Sequence, residues 1–256
     1  MELLDVAFAA AEIATSIMGE AGDNPIVIQK GVRDYSTEKD LRIEREVSQY
    51  LRDKTPDYPM LAEEFNQEIG KFERAWVLDP IDGTVNFSRQ HPLFGVSLAL
   101  VTPNAPLIAV VSLPALHRRY HAVAGSGAYL NGKRISVSKN IELSKCIVAV
   151  GDFAKSGNVH GKNARRFAAF KKLSVECLRV RMHGSAAVDT CFVADGTIDA
   201  SVTLSNLAWD VQAGVLLVRE SGGSVVDKAG RQHTLRSRET ICTNKSNQAS
   251  LLAALS

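Results

Sequence analysis

Cysteine and aromatic residues are scarce in this chain of 256 residues, and their scarcity excludes several classes of protein. The four cysteines form no Cys-x-x-Cys pair, which argues against a zinc site and against a disulfide framework. The six histidines show no metal-ligand spacing. Aromatic residues make up 6% of the chain, too few for the stacking surfaces that bind single-stranded nucleic acid. We therefore expect reduced thiols in a cytoplasmic protein.

A large excess of charge and long apolar runs are also lacking. The formal net charge is +2, too small to indicate nucleic acid or a membrane surface as the main partner. No apolar run approaches the roughly 20 residues that span a bilayer. The first 20 residues contain Glu2, Asp5 and Glu12 and have no positively charged start, so they predict an amphipathic helix and not a signal peptide.

Hydrophobic periodicity divides the chain into two halves. Helical spacing covers residues 2–19 and a segment from Thr37 to Pro56, and strand patterns and an Asn131-Gly132 hairpin follow. The first-half strands are predicted at 75–78, 96–101, 107–113, 120–123, 128–130 and 135–137. In the second half strands are predicted at 146–150, 177–182, 198–204 and 224–226, with helices at 162–173, 186–194 and 209–220. We predict an N-terminal α+β half, 1–140, and a C-terminal α/β half, 141–256, that act as one functional unit built from layered sheets and helices.

The most informative stretch runs from Trp76 to Thr84. An apolar strand delivers Asp79, Pro80 ends the strand, and Asp82 follows in a turn. Two carboxylates so close together repel each other unless a cation lies between them, and oxygen ligands are those that magnesium prefers. Gly83 and Thr84 then stand where a helix begins, and its free N–H groups suit a phosphate. An ordinary surface turn is the alternative explanation of this stretch alone.

Three further groups of acidic residues lie at the ends of predicted elements. They are the Glu63-Glu64 pair, Asp210 at a helix start, and Asp40, which forms a variant capping box with Thr37. Each has an ordinary explanation as a solvated acid or a helix cap. Four acidic positions at element ends in one chain nevertheless favour a metal site.

These residues resemble the inositol monophosphatase family of magnesium-dependent, lithium-sensitive phosphatases. The signature W-x-x-D-P-I-D-G-T-x-N-F is present from Trp76 to Phe87, and the signature W-D-x-x-A-G from Trp209 to Gly214. The upstream pattern K-x-x-x-D-x-x-T-x-x-D, the acidic pair and a Gly-Ser-Ala-Ala turn appear at residues 30–40, 63–64 and 184–187. The similarity keeps the family's order and spans nearly the whole chain.

The resemblance implies a five-layered αβαβα sandwich, assembled as a homodimer, with two or three Mg²⁺ ions in each subunit. The implied metal ligands are Glu63, Asp79, Asp82, Asp210 and the carbonyl oxygen of Ile81. Glu63 and the pair Asp40 and Thr84 are implied to orient and activate the attacking water. Positions implied at the substrate end are Asp82, Gly83, Thr84, Gly184 and Ser185.

The implied reaction is hydrolysis of a phosphate monoester by metal-activated water, on a small phosphorylated polyol or similar metabolite. Inositol 1-phosphate is the first candidate, although Thr203 stands where several inositol phosphatases carry a glutamate that contacts inositol. Thr203 either binds a polyol or finishes a strand. Phosphatases acting on histidinol phosphate, 3′-phosphoadenosine 5′-phosphate or sugar (bis)phosphates remain open, as does a non-enzymatic role as a transcription-associated binding protein.

Overall fold

The computed structural model describes residues 2–20, 26–31, 33–154 and 157–255. The helices of these residues have the following bounds: α1 Leu3–Gly19, α2 Glu38–Lys54, α3 Thr84–Ser88, α4 Val159–Glu176, α5 Ala186–Ala194, α6 Ala208–Glu220 and α7 Gln248–Leu255. None of the helices in these described ranges is long and apolar enough to cross a membrane.

The strands belong to a two-stranded hairpin and two larger sheets. The hairpin contains β1 Val27–Gly31 and β2 Asp34–Thr37. The seven-stranded sheet contains, in spatial order, β3 Met60–Ala62, β4 Ala75–Asp82, β5 Gly95–Val101, β6 Pro106–Leu113, β7 Arg118–Val123, β8 Gly127–Leu130 and β9 Lys133–Arg134. The five-stranded sheet is ordered β11 Arg179–Arg181, β10 Ile147–Val150, β12 Ala200–Thr203, β14 Thr240–Asn244 and β13 Gly223–Val226.

Helices and sheets alternate in five layers. Helices α1 and α2 cover one face of the seven-stranded sheet, and α5 and α6 lie between the two large sheets. Helices α4 and α7 cover the outer face of the five-stranded sheet. The fold is therefore an α+β layered sandwich, as the sequence predicts. The helices between the sheets come from the second half of the chain, yet they pack on strands from the first half.

The apolar residues form three clusters that correspond to the layer contacts. Trp76 and Leu78 of β4 face α1 and α2, whereas Val77 faces α6, as the two-residue period of a strand requires. A buried strand covered on both faces is apolar at successive positions, which explains the run Ala75 to Leu78. This strand carries the first acidic signature into the interior.

The predicted hairpin at Asn131-Gly132 is confirmed, but its return strand is wrong by two residues. The strand is β9, Lys133–Arg134, and not residues 135–137. The N–H of Val137 instead bonds the carbonyl of Ser221, 3.1 Å away, because the chain leaves the sheet there to reach α6. The Asn131-Gly132 sequence determines the turn, whereas the end of the β8–β9 pairing depends on the contact between Val137 and Ser221.

Candidate functional site

A cavity of about 1080 Å³ is bordered by four of the acidic residues singled out by the sequence: Glu63, Asp79, Asp82 and Asp210. Strand β4, the first turns of α3, α5 and α6, and the loops after β10 and β12 contribute to its wall. The predicted site residues that line it are Glu63, Asp79, Ile81, Asp82, Gly83, Thr84, Gly184, Ser185, Thr203 and Asp210. Asp40 lies behind this wall and contacts it through Thr84. Predicted site residues up to 147 positions apart in the chain (63 to 210) therefore border one space.

Asp79 is a deeply buried carboxylate of the cavity wall. It lies in β4 opposite Ser97 and is 2% exposed. Its Oδ1 is buried and has no hydrogen-bond partner in the described part of the chain. Burial and then the charges of Glu63 and Asp82 raise the pKa of Asp79 well above its ordinary value. A buried carboxylate oxygen without a donor is costly, so this atom indicates a missing positive partner.

Asp82 ends β4 and is held by the start of α5. Its Oδ2 accepts a hydrogen bond from the Ser185 hydroxyl, 2.9 Å away, and another from the backbone N–H of Ala187. Burial nevertheless raises the pKa of Asp82 to about 8, assisted by the charge of Asp210, while these two donors lower it. The adjoining Gly83 has a φ of +88°, and a Cβ there would lie 2.9 Å from the carbonyl oxygen of Leu93. Only glycine permits this turn between the strand and α3.

Thr84 and Asp40 connect the signature to the start of α2. The Thr84 hydroxyl lies 3.2 Å from Asp40 Oδ1 and 3.0 Å from the carbonyl oxygen of Ile81. Asp40 is fully buried, and its Oδ2 accepts from the N–H and hydroxyl of Thr37 at 2.7 and 2.5 Å. Burial raises the pKa of Asp40 to about 7, although its bonds from Thr37 lower it. The predicted capping box is present, and it also fixes the carboxylate that faces Thr84.

Glu63 follows β3 and is joined by a lysine. Lys30 Nζ lies 2.9 Å from both Glu63 Oε1 and Glu64 Oε1. Although burial lowers the pKa of Lys30, the two carboxylates raise it above its ordinary value overall. Glu44 fixes the loop that follows β3. It is fully buried and accepts hydrogen bonds from the N–H groups of Glu64 and Phe65 at 2.6 and 2.9 Å.

The second half contributes Asp210, the Gly184-Ser185 turn and Thr203. Asp210 lies in the first turn of α6 and accepts from the N–H of Leu207, 2.6 Å away. Ser185 caps α5 by accepting from the N–H of Val188 at 3.1 Å. Thr203 is 8% exposed and is the last residue of β12, so it both finishes a strand and borders the cavity.

The donor set suits a hard divalent cation. The ligands implied by sequence are all oxygens, the preference of Mg²⁺, and the unpartnered Asp79 oxygen lies among carboxylates that raise one another's pKa. Across the described residues, no three or more His, Cys, Asp or Glu side chains are arranged so that they hold an ion by themselves. The Glu63 carboxylate contacts Lys30, and the Asp82 carboxylate accepts from Ser185, so these two carboxylates point toward different partners.

The sequence reasoning missed several residues of the cavity and its support. His183 lines the cavity, and its Nδ1 lies 2.6 Å from the buried Asp189. Asn86 donates to the carbonyls of Leu93 and His183, both at 2.7 Å, and so joins the first signature to the Gly184 turn. The four basic residues of the cavity lining were also missed: Arg33, Lys162, Arg166 and Arg238. Glu44 had one available signal, a charged residue next to the apolar stripe of α2.

Comparison with known proteins agrees with the arrangement. The model of the inositol monophosphatase family matches residues 1–256. A protein of Thermotoga maritima named fructose-1,6-bisphosphatase/inositol-1-monophosphatase is 36% identical over 214 residues, 84% of this chain and 79% of its own. The probable inositol 1-monophosphatase ImpA of Mycobacterium tuberculosis is 35% identical over 99% of this chain and 93% of its own. The solved structure of a Thermotoga maritima IMPase has a TM-score of 0.89 at 32% identity, and the match covers 100% of this chain and 97% of that one.

Proposed function

The chain belongs to the inositol monophosphatase family and is a phosphatase, and from this premise we propose that it hydrolyses the phosphate ester of a small phosphorylated polyol, with inositol 1-phosphate as the first candidate. The observation that carries the proposal is the buried Asp79 oxygen without a hydrogen-bond partner, inside a cavity bordered by Glu63, Asp82 and Asp210. Such a concentration of negative charge binds cations, and cations bind phosphate.

The metal ligands in this proposal are Glu63, Asp79, Asp82, Asp210 and the carbonyl oxygen of Ile81, and the metal is Mg²⁺, two or three ions per subunit. When bound, such ions offset the negative charge that the phosphate group carries through its transition state. Lys30, which joins Glu63 to Glu64 through bonds of 2.9 Å, then has to release Glu63. Lys30 then keeps its ion pair with Glu64.

Thr84 in the cavity wall and Asp40 behind it orient and activate the water in this proposal. The Thr84 hydroxyl, placed between Asp40 and the Ile81 carbonyl, orients the attacking water, and Asp40 receives the proton that is released. The raised pKa of Asp40, about 7, suits a group that takes up a proton near neutral pH. Glu63 is the second residue assigned to activating the water.

The substrate contacts in this proposal come from both halves of the chain. The turn at Gly83 and Thr84 presents backbone N–H groups at the start of α3, and Gly184 and Ser185 do so at the start of α5. Asp82, bonded to Ser185, sits beside them. Thr203 contacts the alcohol part of the ester through its hydroxyl.

The test is magnesium-dependent phosphate release from four esters side by side: inositol 1-phosphate, histidinol phosphate, fructose 1,6-bisphosphate and 3′-phosphoadenosine 5′-phosphate. We expect release only with Mg²⁺ present and suppression by lithium, which serves as the control for this metal site. If no ester releases phosphate in Mg²⁺, the proposed function is wrong. The homodimer, the cytoplasmic location and the functional unity of residues 1–140 and 141–256 stay predictions.

A further inference from the structure

A histidine and an aspartate outside the proposed metal ligands form a hydrogen-bonded pair at the cavity wall. His183 lies in the segment between β11 and α5 and lines the cavity. Its Nδ1 is 2.6 Å from Oδ1 of Asp189, which belongs to the first turn of α5. The Asp189 side chain is 2% exposed and the His183 side chain 14%. A buried carboxylate therefore holds one edge of a ring that is itself only partly buried.

The start of α5 and the histidine both favour the charged form of Asp189. The first turn of a helix stabilises a negative charge because its free N–H groups carry partial positive charge. Burial raises the pKa of Asp189 overall, although the hydrogen bond to His183 and the charge of that ring lower it. A carboxylate only accepts hydrogen bonds, so Nδ1 of the histidine carries a proton and donates to Asp189. The other ring nitrogen, Nε2, is then the one that can exchange a proton with a ligand.

The position of the imidazole ring is fixed by its neighbours. The ring meets Phe192 of α5 edge-on, with 5.7 Å between the ring centroids and an angle of 79° between the planes. The carbonyl of His183 accepts from the side-chain amide of Asn86 at 2.7 Å, which ties this segment to α3. Within the described part of the chain Nε2 has no hydrogen-bond partner, and it does not belong to the buried polar atoms. This nitrogen is therefore open to a ligand in the cavity.

The pair lies on the side of the cavity where Thr203 is proposed to contact the alcohol part of the ester. The charge of Asp152 raises the pKa of Asp189, so the loop after β10 lies close to the pair. The preceding residue, Gly151, lies against Thr203, since a Cβ there would be 3.5 Å from Thr203 Cγ2. Asp40, the proposed acceptor of the water's proton, lies instead in the first turn of α2. The cavity therefore has a carboxylate near the attacking water and a histidine near the departing alcohol.

We propose that His183 is a further catalytic residue, which donates the proton of Nε2 to the alcohol oxygen as the ester bond breaks, and that Asp189 positions its ring. The proposal rests on the proposed function, because it completes the same reaction. Asp189, bonded to the other nitrogen, offsets the positive charge of the doubly protonated ring and keeps Nε2 directed at the cavity.

The protons and electrons of this step balance. The oxygen of the attacking water bonds to phosphorus, one of its protons passes to Asp40, and the other stays on the phosphate product. The bond between phosphorus and the alcohol oxygen breaks, and its electron pair stays on that oxygen, which takes the proton from His183. His183 then gains a proton from solvent and Asp40 loses one, so the reaction consumes only water and the ester.

Two esters with different leaving groups test the proton donor. A polyol oxygen leaves as a strongly basic alkoxide that needs a proton, whereas p-nitrophenolate is a weak base and needs none. In Mg²⁺, His183→Gln should lower kcat for inositol 1-phosphate at least about a hundredfold, but kcat for p-nitrophenyl phosphate less than about threefold. Asp189→Asn should show the same selective loss to a smaller extent. The matched control is His160→Gln, which changes an exposed histidine outside the cavity lining and should keep both rates.

Chemical modification of the histidines gives a readout that does not depend on turnover. Diethyl pyrocarbonate acylates unprotonated ring nitrogens, and mass spectrometry of the peptides reports each histidine separately. In Mg²⁺ with lithium, which is expected to keep the ester intact, saturating inositol 1-phosphate should slow the modification of His183 at least about fivefold, because the ester fills the cavity. The modification of His160 should be unchanged.

The two measurements separate this inference from the proposed function. If wild type releases phosphate, equal losses for the two esters in His183→Gln, or no protection of His183 by the ester, would overturn the proton-donor role and leave the proposed function intact. If wild type releases phosphate from no ester, the proposed function fails, and the protection experiment still decides whether the ring meets the ester. Gln at position 183 keeps a donor for Asp189, so this variant decides even if Asp189→Asn does not fold.

Discussion

The hydroxyl of Ser185 donates to Oδ2 of Asp82 across 2.9 Å, although the two residues are 103 positions apart in the chain. The same hydroxyl oxygen accepts from the N–H of Val188 and so caps α5. One side chain therefore fixes a carboxylate of the first signature and the start of a helix from the second half. The two halves meet at the cavity through this contact.

Ser185→Ala should impair both roles of this hydroxyl. Loss of the cap should lower the free energy of unfolding by about 1 kcal/mol. Of the two hydrogen bonds to Asp82 Oδ2, only the one from the Ala187 N–H then remains. We therefore expect kcat to fall about tenfold at saturating Mg²⁺. Urea unfolding and phosphate release measure the two effects. Ser185→Thr, which keeps the hydroxyl, should retain both; equal activity in Ser185→Ala and wild type would contradict the assignment.

Asp79→Asn should abolish turnover and stabilise the metal-free protein. The substitution removes a buried negative charge that Glu63, Asp82 and Asp210 repel, and it supplies an amide donor beside those carboxylates. Thermal unfolding in EDTA should therefore give a higher Tm for Asp79→Asn than for wild type. Mg²⁺ should raise the Tm of wild type clearly and that of the variant little, because binding to the native state stabilises it.

Glu73→Gln is a matched control for this prediction, since Glu73 is an exposed carboxylate outside the cavity lining. It should keep both the activity and the Mg²⁺-dependent rise in Tm. Near wild-type phosphate release from Asp79→Asn would refute the metal assignment, even with the fold intact.

Thr84 should affect the reaction more than the fold. Its hydroxyl lies within hydrogen-bond distance of Asp40 and of the Ile81 carbonyl at the edge of the cavity, and Thr84 is only half-buried. Thr84→Val keeps the shape and removes the hydroxyl. We expect kcat to fall at least a hundredfold, whereas KM should change less than threefold. The free energy of unfolding should change by about 1 kcal/mol. Recovery of kcat in Thr84→Ser is the positive control, and an unchanged kcat in Thr84→Val would contradict the proposed role.

His233 should make stability depend on pH. Its Nε2 lies 2.9 Å from Thr240 Oγ1, and that hydroxyl donates to Asn206 Oδ1, so Nε2 is the ring nitrogen that carries the proton. Its Nδ1 is buried with no hydrogen-bond partner among residues 2–20, 26–31, 33–154 and 157–255. Burial, and then the charge of Arg219, lower the pKa of His233 to about 4. Protonation would leave a buried charge without an acceptor.

The direction of this pH dependence follows from proton uptake by His233. Between about pH 4 and 6.5 the unfolded chain binds more protons at this histidine than the folded one does, so stability falls as pH drops through that window. The loss reaches up to about 3 kcal/mol. Urea unfolding at pH 4.5, 5.5 and 7 should show a shallower slope for His233→Gln than for wild type. His160→Gln, at an exposed position of α4, should keep the wild-type slope; parallel slopes for all three proteins would remove His233 as the cause.

Elements with a strong local pattern were predictable from the sequence, and those defined by tertiary pairing were not. Helix α5 has the predicted bounds, Ala186–Ala194, because the Ser185 cap and an apolar run agree. Strand β14 went unpredicted. Its sequence, Thr-Ile-Cys-Thr-Asn, lacks a clear alternation, and its position is set by pairing with β12 and β13 on either side. All five residues of this strand are buried, so its sequence does not show the alternation of polar and apolar residues by which a half-exposed strand is recognised.

The candidate site shows the same division. The carboxylates at the ends of predicted elements could be recognised because four such positions occur in one chain, although each alone has an ordinary explanation. The basic residues of the cavity lining could not be recognised, since Arg166 lies among other polar residues of α4 and its burial depends on the loops after β10 and β12. Glu44 is similar: its acceptors meet backbone N–H groups 20 and 21 positions away. Contacts of that separation leave no local pattern.

The glycine of the second signature should be intolerant of any side chain. A Cβ at Gly214 of α6 would lie 2.0 Å from Thr190 Oγ1 and 2.4 Å from Thr190 Cβ of α5, so these helices approach each other closely only because the residue is glycine. Gly214→Ala should lower the free energy of unfolding by about 2–3 kcal/mol, the cost of overpacking. Activity should fall too, because the displaced helices carry Asp210 and Ser185.

Thr190→Gly removes the nearest atoms, so the double variant Gly214→Ala/Thr190→Gly should be destabilised by less than the sum of the single changes, with a coupling of about 1 kcal/mol or more. Urea unfolding of the four proteins gives this cycle. Gly19→Ala is the control, since a Cβ there meets nothing within 4 Å at the end of α1, and it should be neutral or stabilising by up to about 1 kcal/mol. If Gly214→Ala unfolds at the same urea concentration as wild type, α5 and α6 can separate without cost, and the close approach is not what this signature glycine provides.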